Sequence, residues 1–261
     1  MNSIQNHLSD FESYAESFFS SLPKAAGLYE PFSYSFSAGG KRLRPLLCME
    51  ACVASGGGIE NSLPAALALE LFHNFSLMHD DIMDEAEQRR GQAAVHIKWN
   101  RDQAILSGDI MFAMSYELLA RCESPRSKDI LSLFTRTAKE VCIGQQMDME
   151  FESRSDVTEE EYLEMISLKT SVLIGAATGA AALYAGQDEA TYQALYDYGL
   201  HLGLSFQLQD DLLDAFGEQA AVGKRIGGDI LQNKKTMLYL KALKLASPEQ
   251  KADLLAWYST A

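Results

Sequence analysis

Two short acidic stretches set in apolar surroundings limit what this chain can fold into. "SLMHDDIMD", residues 76–84, and "FQLQDDLLD", residues 206–214, share one pattern: an apolar lead-in, two aspartates, two apolar residues and a third aspartate. Their first aspartates, Asp80 and Asp210, lie 130 residues apart, so the copies belong to different elements. On a helix the first and third aspartates of each copy fall about 40° apart, and their carboxylates share a face. Like charges so placed repel, and a carboxylate beside apolar surface is costly unless something compensates it. Leu77, Met78, Ile82 and Met83 flank the first copy; Phe206, Leu208, Leu212 and Leu213 flank the second. That setting argues against two plain solvated faces. The spacing predicts two facing helices that hold a small cluster of cations between them.

Aspartate oxygens are hard ligands suited to magnesium, which completes its shell with water and substrate phosphate. A diphosphate bridging such metals would neutralise the carboxylates further. The pattern does not match a calcium-binding EF-hand loop, which alternates acids around a glycine and ends on glutamate.

The rest of the chain reads as helix. It has 261 residues, of which 47% are apolar and only 6 are proline, enough for a large core without global disorder. An amphipathic helix is predicted over 7–22, with Ser9 as a cap and Pro23 ending it. "GGKRLRPLLCMEACVASGGG" has the shape of loop, helix, loop. Further helices are predicted over 63–87, 101–122, 127–152, from a capping box at Thr158 and Glu161 to 186, over 192–217, and over 233–246. With no strand pattern and no proline-rich linker, residues 1–261 read as one all-α domain.

The formal charge of −14 argues against binding nucleic acid or an anionic membrane, while leaving room for an anionic substrate at a locally basic or metal-bearing site. Cys48, Cys52, Cys122 and Cys142 form no CxxC pair and no zinc spacing, and read as small buried hydrophobes in a reducing compartment. The N-terminal residues lack the basic-then-apolar pattern of a secretion signal. The longest uncharged stretch, 171–187, is short for a membrane span and is cut by Gly175, Gly179 and Gly186. A cytoplasmic protein, not integral to the membrane, is the expectation.

Cations stand where a second anion would need them. "GGKRLRP" sets Lys41, Arg42 and Arg44 beside glycines that permit close approach, and arginine gives bidentate contacts to phosphate. Arg89 and Arg90 come just after the first acidic cluster, and Lys169, Lys224, Arg225, Lys234 and Lys235 add further charge. Arg225 and Lys235 read as ordinary solvated charges.

With "GGKRLRP", "LMHDDIMDEAEQRRG", "GQQMDMEFE", "LKT", "FQLQDDLLD" and "GKRIGGDILQNKKT" in this order, the chain resembles the trans-isoprenyl diphosphate synthases, or polyprenyl synthetases, along almost its whole length. The resemblance implies an all-α isoprenoid-synthase-type bundle with a central cavity, working as a homodimer. It implies a magnesium-dependent (Mg2+) prenyltransferase that adds isopentenyl diphosphate head-to-tail to an allylic diphosphate, releasing diphosphate. Carried over by residue, Asp80 and Asp84 would ligate two magnesium ions on the allylic diphosphate, with Asp81 in support. Asp210 would hold another, helped by Asp211 and Asp214, for about three ions in all. Arg89, Lys169 and Lys224 would contact the allylic diphosphate; Lys41, Arg44, His73 and Arg90 would bind isopentenyl diphosphate, and Lys234 is a further substrate contact. Thr170 and Gln207 would line the reacting carbon, with Gln145 and Asp148 nearby. A lone histidine on an apolar helix is usually a core residue, but His73 lies seven positions before Asp80, near the same face.

Ionising an allylic diphosphate needs its leaving group stabilised, as metals and cations do, and an apolar cavity to keep water from the allylic cation. Product length would depend on cavity depth. Ser76 lies about 6 Å below Asp80 and Phe72 about 12 Å below it, with Phe75 beside Ser76. Phe75 with a small Ser76 resembles a twenty-carbon, geranylgeranyl-type enzyme, with fifteen carbons next; Met111 and Met114 are candidates for the floor on a neighbouring helix. Family members usually continue past "NKKT" into further C-terminal helices, whereas this sequence stops at Ala261: either it is truncated or this member is short. Three rivals fit less well. A terpene cyclase typically mixes Asn, Ser or Thr and Glu in its second metal motif and has no use for "GGKRLRP". A non-catalytic partner subunit, or a plain structural bundle, leaves two intact acidic motifs unexplained.

Overall fold

The computed structural model describes residues 2–23, 26–217 and 227–258. It divides into two compact units, Met1–Phe134 with Ala176–Asp197, and Thr135–Gly175 with Tyr198–Ala261. The described residues are helical except for turns and one short ribbon, so the all-α expectation holds.

In the first unit, α1 (Asn2–Ser20), α2 (Ala26–Ser37) and α3 (Leu43–Ala54) lead into α4 (Ile59–Met83). Ala65, Ala66, Leu67, Ala68, Leu69, Leu71 and Phe72 of α4 are all buried. A helix apolar on every side belongs inside the core, and α4 is that core helix. After α5 (Val95–Lys98), α6 (Arg101–Ala120) packs along it, starting at the Asn100 side chain, which accepts from the Gln103 N–H at 2.9 Å. The two helices approach closely where Gly108 lies under His79; a methyl group there would come within 2.6 Å of the imidazole Cδ2.

The helix predicted over 63–87 stops at Met83. Glu85 takes φ 50 and the Ala86 N–H folds back onto the Asp81 carbonyl at 2.9 Å, the left-handed closure more often made with glycine. Beyond this closure lies a hairpin that the sequence did not reveal: β1 (Gln88–Arg89) pairs antiparallel with β2 (Gln92–Ala93). Arg90 and Gly91, at φ 53 and 74, form the two-residue turn whose twist suits a hairpin. Two-residue strands carry no alternation to detect.

The second unit begins within α7 (Ser127–Ser153). It continues through α8 (Glu159–Ile166), a π-helical turn (Ser167–Ser171) and the first residues of α9 (Val172–Tyr184). The predicted capping box is present: Thr158 accepts from the Glu161 N–H, and the Glu161 carboxylate accepts from the Thr158 N–H. The stretch 159–184 is long and apolar enough to cross a membrane, but 78% of its most apolar window is buried inside the protein, as in a core helix. The C-terminal part of α10 (Glu189–Phe216), α11 (Gly228–Leu231), α12 (Met237–Leu245) and α13 (Pro248–Trp257) complete the unit. Phe151, Tyr162, Met165, Ile166, Tyr239 and Leu240 form its core. Helix α13 was not anticipated, although "SPEQ" spells its start: Ser247 caps, Pro248 sits in the first turn and Gln250 completes a capping box.

Two smaller expectations need correction. The N-terminal helix runs from Asn2 straight through Ser9, which therefore caps nothing. Cys142 is exposed, whereas Cys48, Cys52 and Cys122 are buried, and all four are free.

Candidate active site

In the first unit the acidic turn closes α4. The Asp84 N–H donates to the Asp80 carbonyl at 2.8 Å, placing Asp80, Asp81 and Asp84 on the last turn and its cap. Arg89, on β1, reaches back to them. Its Nε donates to Asp81 Oδ1 at 2.8 Å, and its terminal nitrogen lies 3.3 Å from Asp80 Oδ2. Burial pushes the Asp81 carboxyl up, and the Arg89 guanidinium opposes that shift. Burial alone would lower Arg89, but Asp81, Asp80 and Asp84 together outweigh it and raise it. The hairpin thus supplies the first motif's compensating cation.

A second basic cluster lies in the same unit. Burial, then the charges of Arg44, Arg90, Arg89 and Arg42, hold His73 well below the usual histidine range. Burial brings Arg44 down to about 10, and its Nε is buried without a hydrogen-bond partner. Such a donor is one that an anion can satisfy. Arg90 donates to the Gly39 carbonyl, and its guanidinium lies over Gly40, where an added Cβ would meet it at 3.0 Å. The group that approaches the glycine pair closely is thus the Arg90 side chain. Lys41 is exposed.

Arg42 differs from its neighbours. At φ 47 it turns inward and is 6% exposed. It pairs with Glu70 at 2.9 Å and Glu12 at 3.0 Å, donates to the Phe36 carbonyl and stacks over the Phe36 ring. It is a structural clamp rather than one of the cations open to an anion.

Below the acidic turn the side chains are aromatic. Phe75 stacks on Phe112 with centroids 5.0 Å apart and planes 13° from parallel. Phe72 contacts Phe75, Phe112 and Phe134 at 5.3–5.6 Å. The small Ser76 donates to the His73 carbonyl at 2.9 Å. On α6 the neighbour of this group is Phe112 rather than only the methionines named from sequence; Met111 is fully buried and Met114 half-buried.

In the second unit a pocket is lined by residues from "GQQMDMEFE", "LKT", "FQLQDDLLD" and "NKKT". Lys169 Nζ donates to Asp148 Oδ2 at 2.5 Å, and Lys234 Nζ lies 3.9 Å from the same oxygen. Thr170 donates to Gln207 Oε1 at 3.0 Å, and Gln207 Nε2 donates to Asp211 Oδ1 at 3.0 Å. The Tyr162 hydroxyl donates to the other oxygen of Asp211, and burial, with the Asp211 charge second, pushes that phenol up. Asp214 accepts from the Asp229 N–H at 3.0 Å and so ties α10 to α11. Asp210 is half-buried, while Asp211 and Asp214 are buried. The π turn carrying Lys169 and Thr170 is gripped by two glycines. A Cβ at Gly144 would lie 2.7 Å from Lys169 Cα, and one at Gly203 would lie 2.6 Å from Ser171 Cα.

The pattern of the polyprenyl synthetase family matches residues 25–261. The chain belongs to that family. A short chain isoprenyl diphosphate synthase of Methanothermobacter thermautotrophicus is 44% identical over 221 residues, covering 84% of this chain and 68% of that protein. A geranylgeranyl diphosphate synthase of Methanosarcina mazei is 43% identical over 219 residues, covering 83% of this chain and 68% of that one. A crystal structure of a geranylgeranyl pyrophosphate synthase superposes with a TM-score of 0.94 at 46% identity, covering 99% of this chain and 78% of the other.

Lys224 and Arg225 lie outside the described residues. Gln145 is half-buried on α7, one turn before Asp148's neighbour Met149. Lys235 is not solvated as expected: it is 8% exposed, and burial lowers its pKa. The flanking apolar residues also split, with Met78 and Ile82 buried but Met83, Phe206, Leu212 and Leu213 exposed. Among the described residues no three His, Cys, Asp or Glu side chains gather closely enough to hold a metal by themselves. Asp80 and Asp84, on the last turn of α4 and its cap, carry hard carboxylate oxygens, and magnesium needs only one or two carboxylates beside phosphate and water, so the donor chemistry fits that ion.

Proposed function

We propose that this polyprenyl synthetase condenses isopentenyl diphosphate head-to-tail with an allylic diphosphate, releasing diphosphate, to give a short-chain all-trans prenyl diphosphate. Twenty carbons are the favoured length and fifteen the next. Asp80 and Asp84 are the ligands proposed for magnesium on the allylic diphosphate, and Asp210 for a further ion, about three in all. When bound, magnesium supplies Lewis-acid stabilisation of the leaving group's charge. The chain's own residues do the rest. Arg89, Lys169, Lys224 and Lys234 add positive charge around the departing diphosphate, while Arg44, His73, Arg90 and Lys41 hold isopentenyl diphosphate. The Thr170 hydroxyl donates a hydrogen bond to Gln207 Oε1, which leaves the Thr170 oxygen lone pairs to face a developing positive charge on carbon. Phe72, Phe75 and Ser76 bound the growing chain and help exclude water. The enzyme is proposed to act as a homodimer in the cytoplasm.

The observation carrying this reading is the pocket of the second unit. Lys169, Lys234 and Asp148 meet there beside the Thr170–Gln207–Asp211 hydrogen bonds, drawn from four separate motifs. The test is incubation with isopentenyl diphosphate, magnesium and each allylic diphosphate in turn, with sizing of the products. A twenty-carbon product is expected. A fifteen-carbon product keeps the chemistry and raises the floor, and absence of any condensation overturns the proposal.

A further inference from the structure

Lys235 follows Lys234, a cation proposed to meet the substrate, yet its own ammonium is turned into the protein. Its Nζ donates to the Asn233 carbonyl at 2.7 Å and to the Glu152 carbonyl at 3.4 Å. It lies over the rings of Tyr239 and Tyr258, 5.6 and 5.3 Å from their centroids, and those rings contact each other at 4.2 Å with planes tilted by 37°. An ammonium has three donors and no acceptor, and a cation over aromatic faces is well placed in a partly dry setting. This one is held by two main-chain carbonyls and two rings.

The ammonium secures the turn before Lys234. Asn233 takes φ 55, a left-handed conformation, and its N–H reaches the Ile230 carbonyl at 3.2 Å. The Lys234 N–H closes on the Asp229 carbonyl at 2.9 Å, and the Asp229 N–H is in turn bonded to Asp214 of the second acidic motif. Lys235 joins the carbonyl of that left-handed residue to α7 at Glu152. One helical turn earlier on α7, Asp148 lies 3.9 Å from the Lys234 ammonium. Adjacent lysines are thus tied to one stretch of α7, Lys235 through a carbonyl and Lys234 through a carboxylate.

We propose that Lys235 is a positioning residue: it fixes the 233–236 turn so that the Lys234 ammonium is presented to the diphosphate of the substrate. This rests on the prenyl-transfer reading for the identity of the ligand, but the coupling between the two lysines does not. Calorimetric titration of the intact chain with inorganic diphosphate and magnesium reads it without turnover. Lys234→Met is expected to weaken that binding about tenfold, the order of one charge-assisted contact. Lys235→Met removes the ammonium while keeping an apolar stem, and is expected to weaken binding by a similar factor. The double variant is expected to be no weaker than Lys234→Met alone, since residues acting through one contact are not additive. Lys235→Arg, which retains a buried cation, is expected to recover most of the affinity and serves if the methionine variant does not fold. In steady state Lys235→Met should raise KM more than it lowers kcat. Additive losses in the double variant, or full affinity in Lys235→Met and no rescue difference from Lys235→Arg, would overturn the proposal. Failure of the wild type to condense substrates would instead count against the prenyl-transfer reading and leave the binding result standing.

Discussion

Arg42 and Arg44 stand two positions apart in one motif and do different work. Arg42 faces Glu70, which is 2% exposed, and the pair needs each other, because removing one partner would strand a buried charge. Arg44 keeps a buried donor unmet beside His73. The same division recurs between Lys234, turned to Asp148, and Lys235, turned to the main chain. His73 offers a test through pH. Burial and its arginine neighbours depress its pKa in the folded state, whereas in the unfolded chain it titrates near about 6.5. As pH falls through the unfolded value, the unfolded chain takes up a proton that the native site resists, so stability drops on the acid side. His73→Gln should therefore lose less of its thermal midpoint than the wild type between about pH 7 and about pH 5. Parallel pH curves for the two proteins would show that this histidine is not held neutral.

At the scale of the element, motif stretches are where the backbone departs from the ordinary. Arg42, Glu85, Arg90 and Asn233 are the non-glycine residues with positive φ among those described, and each lies in or beside a motif. Positions of this kind cost about 1–3 kcal/mol each and persist only where the surroundings enforce them; here Arg90 is anchored on Gly39, and Asn233 by Lys235. The π turn at Ser167–Ser171 is a comparable device. It rotates Lys169 and Thr170 out of α-helical register into the pocket, and the lack of a side chain at Gly144 allows α7 to lie against its backbone. Gly144→Ala should destabilise the fold by about 1–3 kcal/mol, as overpacking does, and should lower kcat more steeply than it raises KM. Thermal unfolding and steady-state kinetics on one preparation would check both; an unaltered kcat would mean that the turn's placement does not matter to the chemistry. Gly144 and Gly203 are both visible in the sequence, but nothing local marks them as abutting the same turn.

For the molecule as a whole, the quantity that integrates its parts is the length of its product. The aromatic group beneath the first acidic turn draws on α4, α6 and α7: Phe72 and Phe75, Phe112 and Tyr116, and Phe134. Phe75 is its half-buried member nearest the aspartates, and Phe112 stacks flat against it. Phe75→Ala should shift the products beyond twenty carbons, as judged by chain-length analysis after exhaustive incubation. An unshifted product would place the floor on other residues.

The amino-acid sequence by itself determined the class of the fold, the capping of α8, the two acidic turns and the family, because each depends on residue type at fixed local spacing. The family resemblance grouped Lys41, Arg44, His73 and Arg90; in the structure Arg44 and Arg90 act on the buried His73, while Lys41 is exposed. Only the tertiary structure decided which of several adjacent charges turn inward, where α4 stops, and that Asp81, Asp211 and Asp214 are already engaged by Arg89, Tyr162 with Gln207, and the Asp229 N–H. The physical reason is that periodicity reports a helix face only while the backbone stays helical. At Arg42, Glu85, Arg90 and Asn233 it does not, and there the direction of a side chain is set by partners distant in the sequence.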